Sequence, residues 1–161
     1  MINHEEPKKG GALHMDRRYL SPLELLSIAT QHAYTADYML QQISNGIYRG
    51  GEAIDVLSPI TSLMYVAFQL TFKAYCLHDH RPIKEYKNLM ELVELNSHLG
   101  LSSNDIFLLK TLSRQQVFNK GVDYDLWENQ QQLHVFCEEI ISLYERVQLL
   151  MPLELQSDYQ E

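Results

Sequence analysis

Between Pro59 and Leu77, tyrosine and cysteine aside, only Lys73 can carry a charge. Ile60, Leu63, Met64, Ala67, Phe68, Leu70, Ala74 and Leu77 recur at helical spacing, and Val66, Phe72, Tyr75 and Cys76 fill much of the remaining circumference. A helix apolar on nearly every side has to be wrapped by other helices. Ser, Thr, Gln and Lys interrupt the run, which argues against a membrane span. Ser58 reads as the N-cap and Pro59 as the first helical residue, so the expected helix covers residues 58–81. His78, Asp79, His80, Arg81 and Pro82 form the polar junction after it, Pro82 disfavouring helical geometry at Arg81.

The rest of the chain supplies four helices to surround it. The first starts at Ser21, with Pro22 at the first position and Glu24 completing a capping box, and ends at Asn45-Gly46. Its apolar stripe is Leu25, Leu26, Ala29, Ala33, Ala36, Met39, Leu40 and Ile43. Residues 47–57 read as a connection. A shorter helix spans roughly 84–96, with Leu89, Met90, Leu92, Val93 and Leu95 apolar, and Gly100 closes it. Another follows Ser102 and Ser103 to about Phe118, with Ile106, Leu109, Leu112 and Val117 as core candidates helped by Phe107 and Leu108. The last begins at Asp125, with Glu128 three residues on, and carries Trp127, Leu133, Phe136, Cys137, Ile140, Tyr144, Val147 and Leu150 towards Pro152. Strand alternation is sustained nowhere. The expectation is an all-α, up-and-down bundle of about five helices over residues 19–152, with tails at 1–18 and 153–161, the latter fraying or folding back.

The net charge of −8 works against a broad nucleic-acid surface, which needs clustered Lys and Arg. Cys76 and Cys137 sit in apolar helical patterns and read as buried free thiols, in keeping with a reducing cytoplasm. Residues 1–16 are polar and carry no signal-peptide pattern, so the expected location is cytoplasmic.

The segment Ala67-Phe68-Gln69-Leu70-Thr71-Phe72-Lys73-Ala74-Tyr75 resembles the second helix of HEPN domains (higher eukaryotes and prokaryotes nucleotide-binding). In that family a small residue and an apolar-polar-leucine run lead into a Lys-Ala pair. Asn88-Leu89-Met90-Glu91-Leu92 is similar to the next element, His-Asp/Asn-Leu-x-x-Leu, with Lys87 where the His would stand. The resemblance covers roughly residues 22–150 and is strongest over 67–93. It implies a bundle of four to five helices that often dimerises, in a family of ribonuclease toxins, partners of small nucleotidyltransferases and non-catalytic binding modules. The family's ribonucleases carry Arg, four to six residues, then His. Arg114 lies in the corresponding helix, but Asn119, Lys120 and Gly121 occupy the positions where that His could follow. Such cleavage needs a group titrating near neutrality beside the phosphate, which argues against ribonuclease activity.

Two polar concentrations remain. Lys73, Arg81, Lys84 and Lys87 gather positive charge that could hold a phosphate or an acidic partner, or simply balance Glu85, Glu91 and Glu94. Lys73, on so apolar a helix, has to snorkel, pair or shift its pKa. Around the later helix break, Arg114, Asp123, Tyr124 and Asp125 offer a bidentate clamp or a self-paired turn. His78-Asp79-His80 has poor spacing for metal ligation, and no third ligand supports it. His32 and His134 read as satisfied bundle residues and His98 as a loop residue. No nucleophile motif or Gly-rich phosphate loop is present. The reading is therefore a non-catalytic HEPN-like module without cofactor or metal, a homodimer recognising a nucleotide, RNA phosphate or protein partner. Its candidate binding residues are Lys73, His80, Arg81, Lys87, Asn88, Arg114 and Tyr124. The alternative is a divergent ribonuclease of a toxin–antitoxin or nucleotidyltransferase-associated pair.

Overall fold

A computed structural model describes residues 20–46, 52–80, 88–117 and 130–160. Among them the chain is all helical: α1 (Pro22–Ser44), α2 (Glu52–His78), α3 (Leu89–Leu95), a 3-10 turn (Ser97–Leu99), α4 (Ser103–Val117), α5 (Gln130–Leu149) and α6 (Leu153–Gln160). The tail expected over 1–18 and the junction at 118–129, with Asp125 and Trp127, lie outside the described residues.

The wrapping required of α2 is present. From residue 57 to residue 78 only Pro59 is exposed, and Leu57, Ile60, Met64, Ala67, Phe68, Phe72, Ala74 and Cys76 are fully enclosed. An aromatic stack runs through the centre. Phe68 and Phe72 lie 6.0 Å apart, and Phe68 meets Tyr144 on α5 edge-to-face at 5.2 Å. Such edge and offset contacts add to the burial itself.

Contacts across the core set the directions. Thr71 and Tyr144 share a hydroxyl–hydroxyl hydrogen bond at 2.9 Å, and the Tyr75 hydroxyl reaches the Val147 carbonyl, so α2 and α5 run parallel. Ser44 Oγ lies 3.1 Å from His134 Nε2, and Gln148 donates to Thr30 Oγ1 at the other end, so α1 runs against α5. Asp105, early in α4, meets Arg146, late in α5, so α4 also runs against α5. Consecutive long helices therefore alternate in direction, as an up-and-down bundle requires.

Local chemistry explains several helix ends. Ser21 Oγ accepts from Glu24 N–H while Glu24 accepts from Ser21 N–H, completing the expected capping box. Ser102 and Asp105 form the same reciprocal pair at α4. Gly46 and Gly100 hold left-handed φ values of +81° and +75° where α1 and the 3-10 turn stop.

Several expectations need correcting. Helix α2 starts at Glu52, not at Ser58, so Pro59 lies inside it and residues 52–57 are not a connection. A proline in a helix interior costs about 3 kcal/mol. Burial of two nearby side chains, Leu57 and Ile60, each worth about 1.5–3 kcal/mol, offsets it. Of the two expectations for the chain after Pro152, fraying or folding back, the second holds, and the segment is helical: it forms α6. Met151 and Leu155 are buried against the core, and Gln156 donates to the Met151 carbonyl at 2.7 Å. Helix α3 begins at Leu89, with residues 84–87 outside the described set. Leu95, Phe107 and Leu150, expected inside, are exposed.

Candidate functional site

Helix α3 has seven residues, too few to persist without tertiary anchors. Leu89, Leu92 and Val93 supply an apolar anchor. The Asn96 side chain, fully buried, supplies a polar one. Its amide nitrogen donates to the Leu92 carbonyl at 2.9 Å, to the Phe72 carbonyl at 3.2 Å and to Cys76 Sγ at 3.3 Å. One amide thus ties the end of α3 to the core helix.

Between α3 and α4 this leaves a cleft of about 540 Å3, a size suited to a small organic ligand. Met90, Val93, Leu101 and Ile106 give it apolar walls, while Asn88, Glu91, Glu94 and Lys110 bring polar groups to the same space. Glu94 and Lys110 are exposed and Glu91 is half-buried. The cleft can enclose a flat apolar body, accept hydrogen bonds through its carboxylates and meet an anion with the Lys110 ammonium.

Of the binding residues expected from sequence, the four that are described, Lys73, His80, Asn88 and Arg114, are spread over the bundle. Asn88 lines the cleft, and its side chain also caps α3 by accepting from Glu91 N–H at 3.3 Å. Lys73 is half-buried on α2, consistent with a snorkelling ammonium. His80 is exposed just after α2 and has a left-handed φ of +58°. Arg114 is exposed in the last turn of α4, where a cation is favourable to the helix dipole. Arg81, Lys87 and Tyr124 lie outside the described residues. His80 follows Asp79, which faces His98 at 3.9 Å beside the start of α4. Arg114 is at the far end of that helix, roughly 13 Å along its axis from Asp105. His80 and Arg114 do not share a site.

His78 and Asp79 are likewise used separately. His78 Nε2 lies 3.1 Å from Glu154 on α6, and Asp79 faces the 3-10 turn. Among the described residues no group of three His, Cys, Asp or Glu could hold a metal ion. His32 Nδ1 bonds the Ile28 carbonyl at 2.9 Å, and His134 faces Ser44 and Glu138, so both are satisfied within the bundle. Both cysteines are free and buried. Burial, with the Glu138 charge adding to it, pushes the Cys137 thiol up to about 12, which suits packing and not nucleophilic chemistry.

Met90, Val93 and Ile106 read as core in the sequence, and Lys110 carries no reading there. Their 3.6-residue spacing cannot separate a side chain facing a neighbouring helix from one facing a gap between two helices. No helix of the described residues is long and apolar enough to cross a membrane. Compared with known proteins, the chain matches no family model, no curated protein and no solved structure.

Proposed function

We propose that this chain is a non-catalytic binding module, HEPN-like in its resemblance, that holds a mononucleotide in the α3–α4 cleft. The supporting observation is the lining: apolar walls on two helices, two glutamates on one side and Lys110 on the other. A base would lie against Met90, Val93 and Ile106. Glu91 and Glu94 would accept from sugar hydroxyls or an exocyclic amine, and Lys110 would meet the phosphate as a point charge. The same reading makes the chain a cytoplasmic homodimer, which light scattering would report as twice the chain mass.

Amide chemical-shift titration with AMP and with adenosine tests the cleft. AMP is expected to shift Glu91, Val93, Ser97 and Lys110 together, and adenosine to shift them with weaker affinity. Ile106→Trp, which fills the space, should abolish both responses while the bundle stays folded. Shifts absent from the cleft with both probes would refute the reading. Cleavage of total RNA that is lost in Arg114→Ala would favour the ribonuclease alternative instead.

A further inference from the structure

A second surface lies between α1 and α5, away from the α3–α4 cleft. The two helices are tied at the ends of their contact by Ser44 with His134 and by Thr30 with Gln148. Between these ties runs a groove. Its upper part, about 270 Å3, is lined by Leu40, Ile141, Glu138 and Glu145, and its lower part, about 150 Å3, by Ala33, Tyr34 and Tyr144. Asp37, Ile141 and Glu145 line both parts, so the groove is continuous. From Thr30 to Ser44 it follows α1 for roughly 20 Å, which is close to four helical turns.

Its chemistry is one-sided. Leu40 and Ile141 make a buried apolar floor. Three carboxylates, Asp37, Glu138 and Glu145, stand along the walls, and no lysine or arginine is among the described lining. Asp37 accepts from Gln41 at 3.1 Å, and Glu138 is 3.8 Å from His134. Glu145 has no cation within ion-pair distance among the described residues. Tyr34 and Tyr38, one turn apart on α1, are 72% and 64% exposed.

We infer that this groove is a docking surface for a lysine- and arginine-bearing amphipathic helix of a partner protein. Charge complementarity selects the occupant. The apolar stripe of such a helix would cover Leu40 and Ile141, its flanking cations would reach Asp37, Glu138 and Glu145, and an arginine could lie over Tyr34 or Tyr38. A second copy is disfavoured, because a two-fold interface would set these carboxylates against themselves. Nucleic acid and anionic membrane are repelled by the same charges.

The test uses the full chain and a fluorescein-labelled 18-residue helix built from leucine and lysine, followed by anisotropy. Saturable binding at one peptide per chain is expected. Glu145→Lys should weaken it by roughly ten-fold or more, while Glu139→Lys, the same charge change at an exposed position on the same helix but outside the groove lining, should change it by less than about two-fold. Circular dichroism and thermal melting establish that each variant is folded. Tyr34→Ala should weaken binding without altering the melting temperature. Equal loss in the groove and control variants would overturn the proposal, since it would mean attraction by net charge alone. So would absent binding, or a dimer in light scattering that Glu145→Lys dissociates. Because the α3–α4 residues are untouched, failure here leaves the AMP titration to be judged separately.

Discussion

The Tyr75 hydroxyl on α2 donates to the main-chain carbonyl of Val147 on α5 at 2.9 Å. That carbonyl also accepts from Leu150 N–H at 3.0 Å as the last turn of α5 tightens. The terminal carbonyls of a helix need such outside partners, and this one is found in the core. The contact registers α2 against α5 at the end of the bundle where α6 turns back.

Tyr75→Phe should therefore lower stability by about 1 kcal/mol, because the Val147 carbonyl keeps one donor after the hydroxyl is lost. Urea unfolding would measure it. A loss above about 3 kcal/mol would mean that the ring itself had repacked.

Asn96→Leu removes all three bonds from the buried amide to α2 and α3. A loss of about 2 kcal/mol is expected, and amide exchange should rise in α3 well before α2. Uniform acceleration across both helices would show that α3 is not a separately anchored unit.

Asp105 has two functions, capping α4 through Ser102 and pairing with Arg146 at 3.2 Å. Asp105→Asn keeps the cap but loses the ion pair. Since the Arg146 side chain is half exposed, the expected cost is only about 0.5–1 kcal/mol. Asp105→Ala loses both and should cost about 1 kcal/mol more. Equal melting temperatures for the two variants would contradict this division.

Alkali should destabilise the fold through Cys137. In the unfolded chain the thiol ionises near its ordinary 9.0, whereas burial raises it in the folded protein to about 12. Between those values the unfolded state has released more protons, so stability falls as pH rises from about 9. Burial, reinforced by Tyr144, raises Tyr75 as well and adds to the slope. Urea midpoints across this range should fall less steeply in Cys137→Ala. At neutral pH a thiol-disulfide reagent should modify neither cysteine until the chain unfolds.

The sequence by itself determined the helical class, the enclosure of α2 and the capped starts at Ser21 and Ser102. These follow from period, composition and side chains that hydrogen-bond within one turn. It misplaced the start of α2 because Ser58-Pro59 carries a local start signal, overridden by burial of Leu57 and Ile60 against other helices. It left residues 153–161 as a tail that frays or folds back, because a short segment with so few apolar residues declares no helix until Met151 and Leu155 find the core. The separation of His80 from Arg114, the α3–α4 cleft and the acidic groove were decided only by tertiary structure. Whether Glu145 and Asp37 face one another depends on how two helices distant in sequence are paired and directed, and helical spacing within either one carries no record of that.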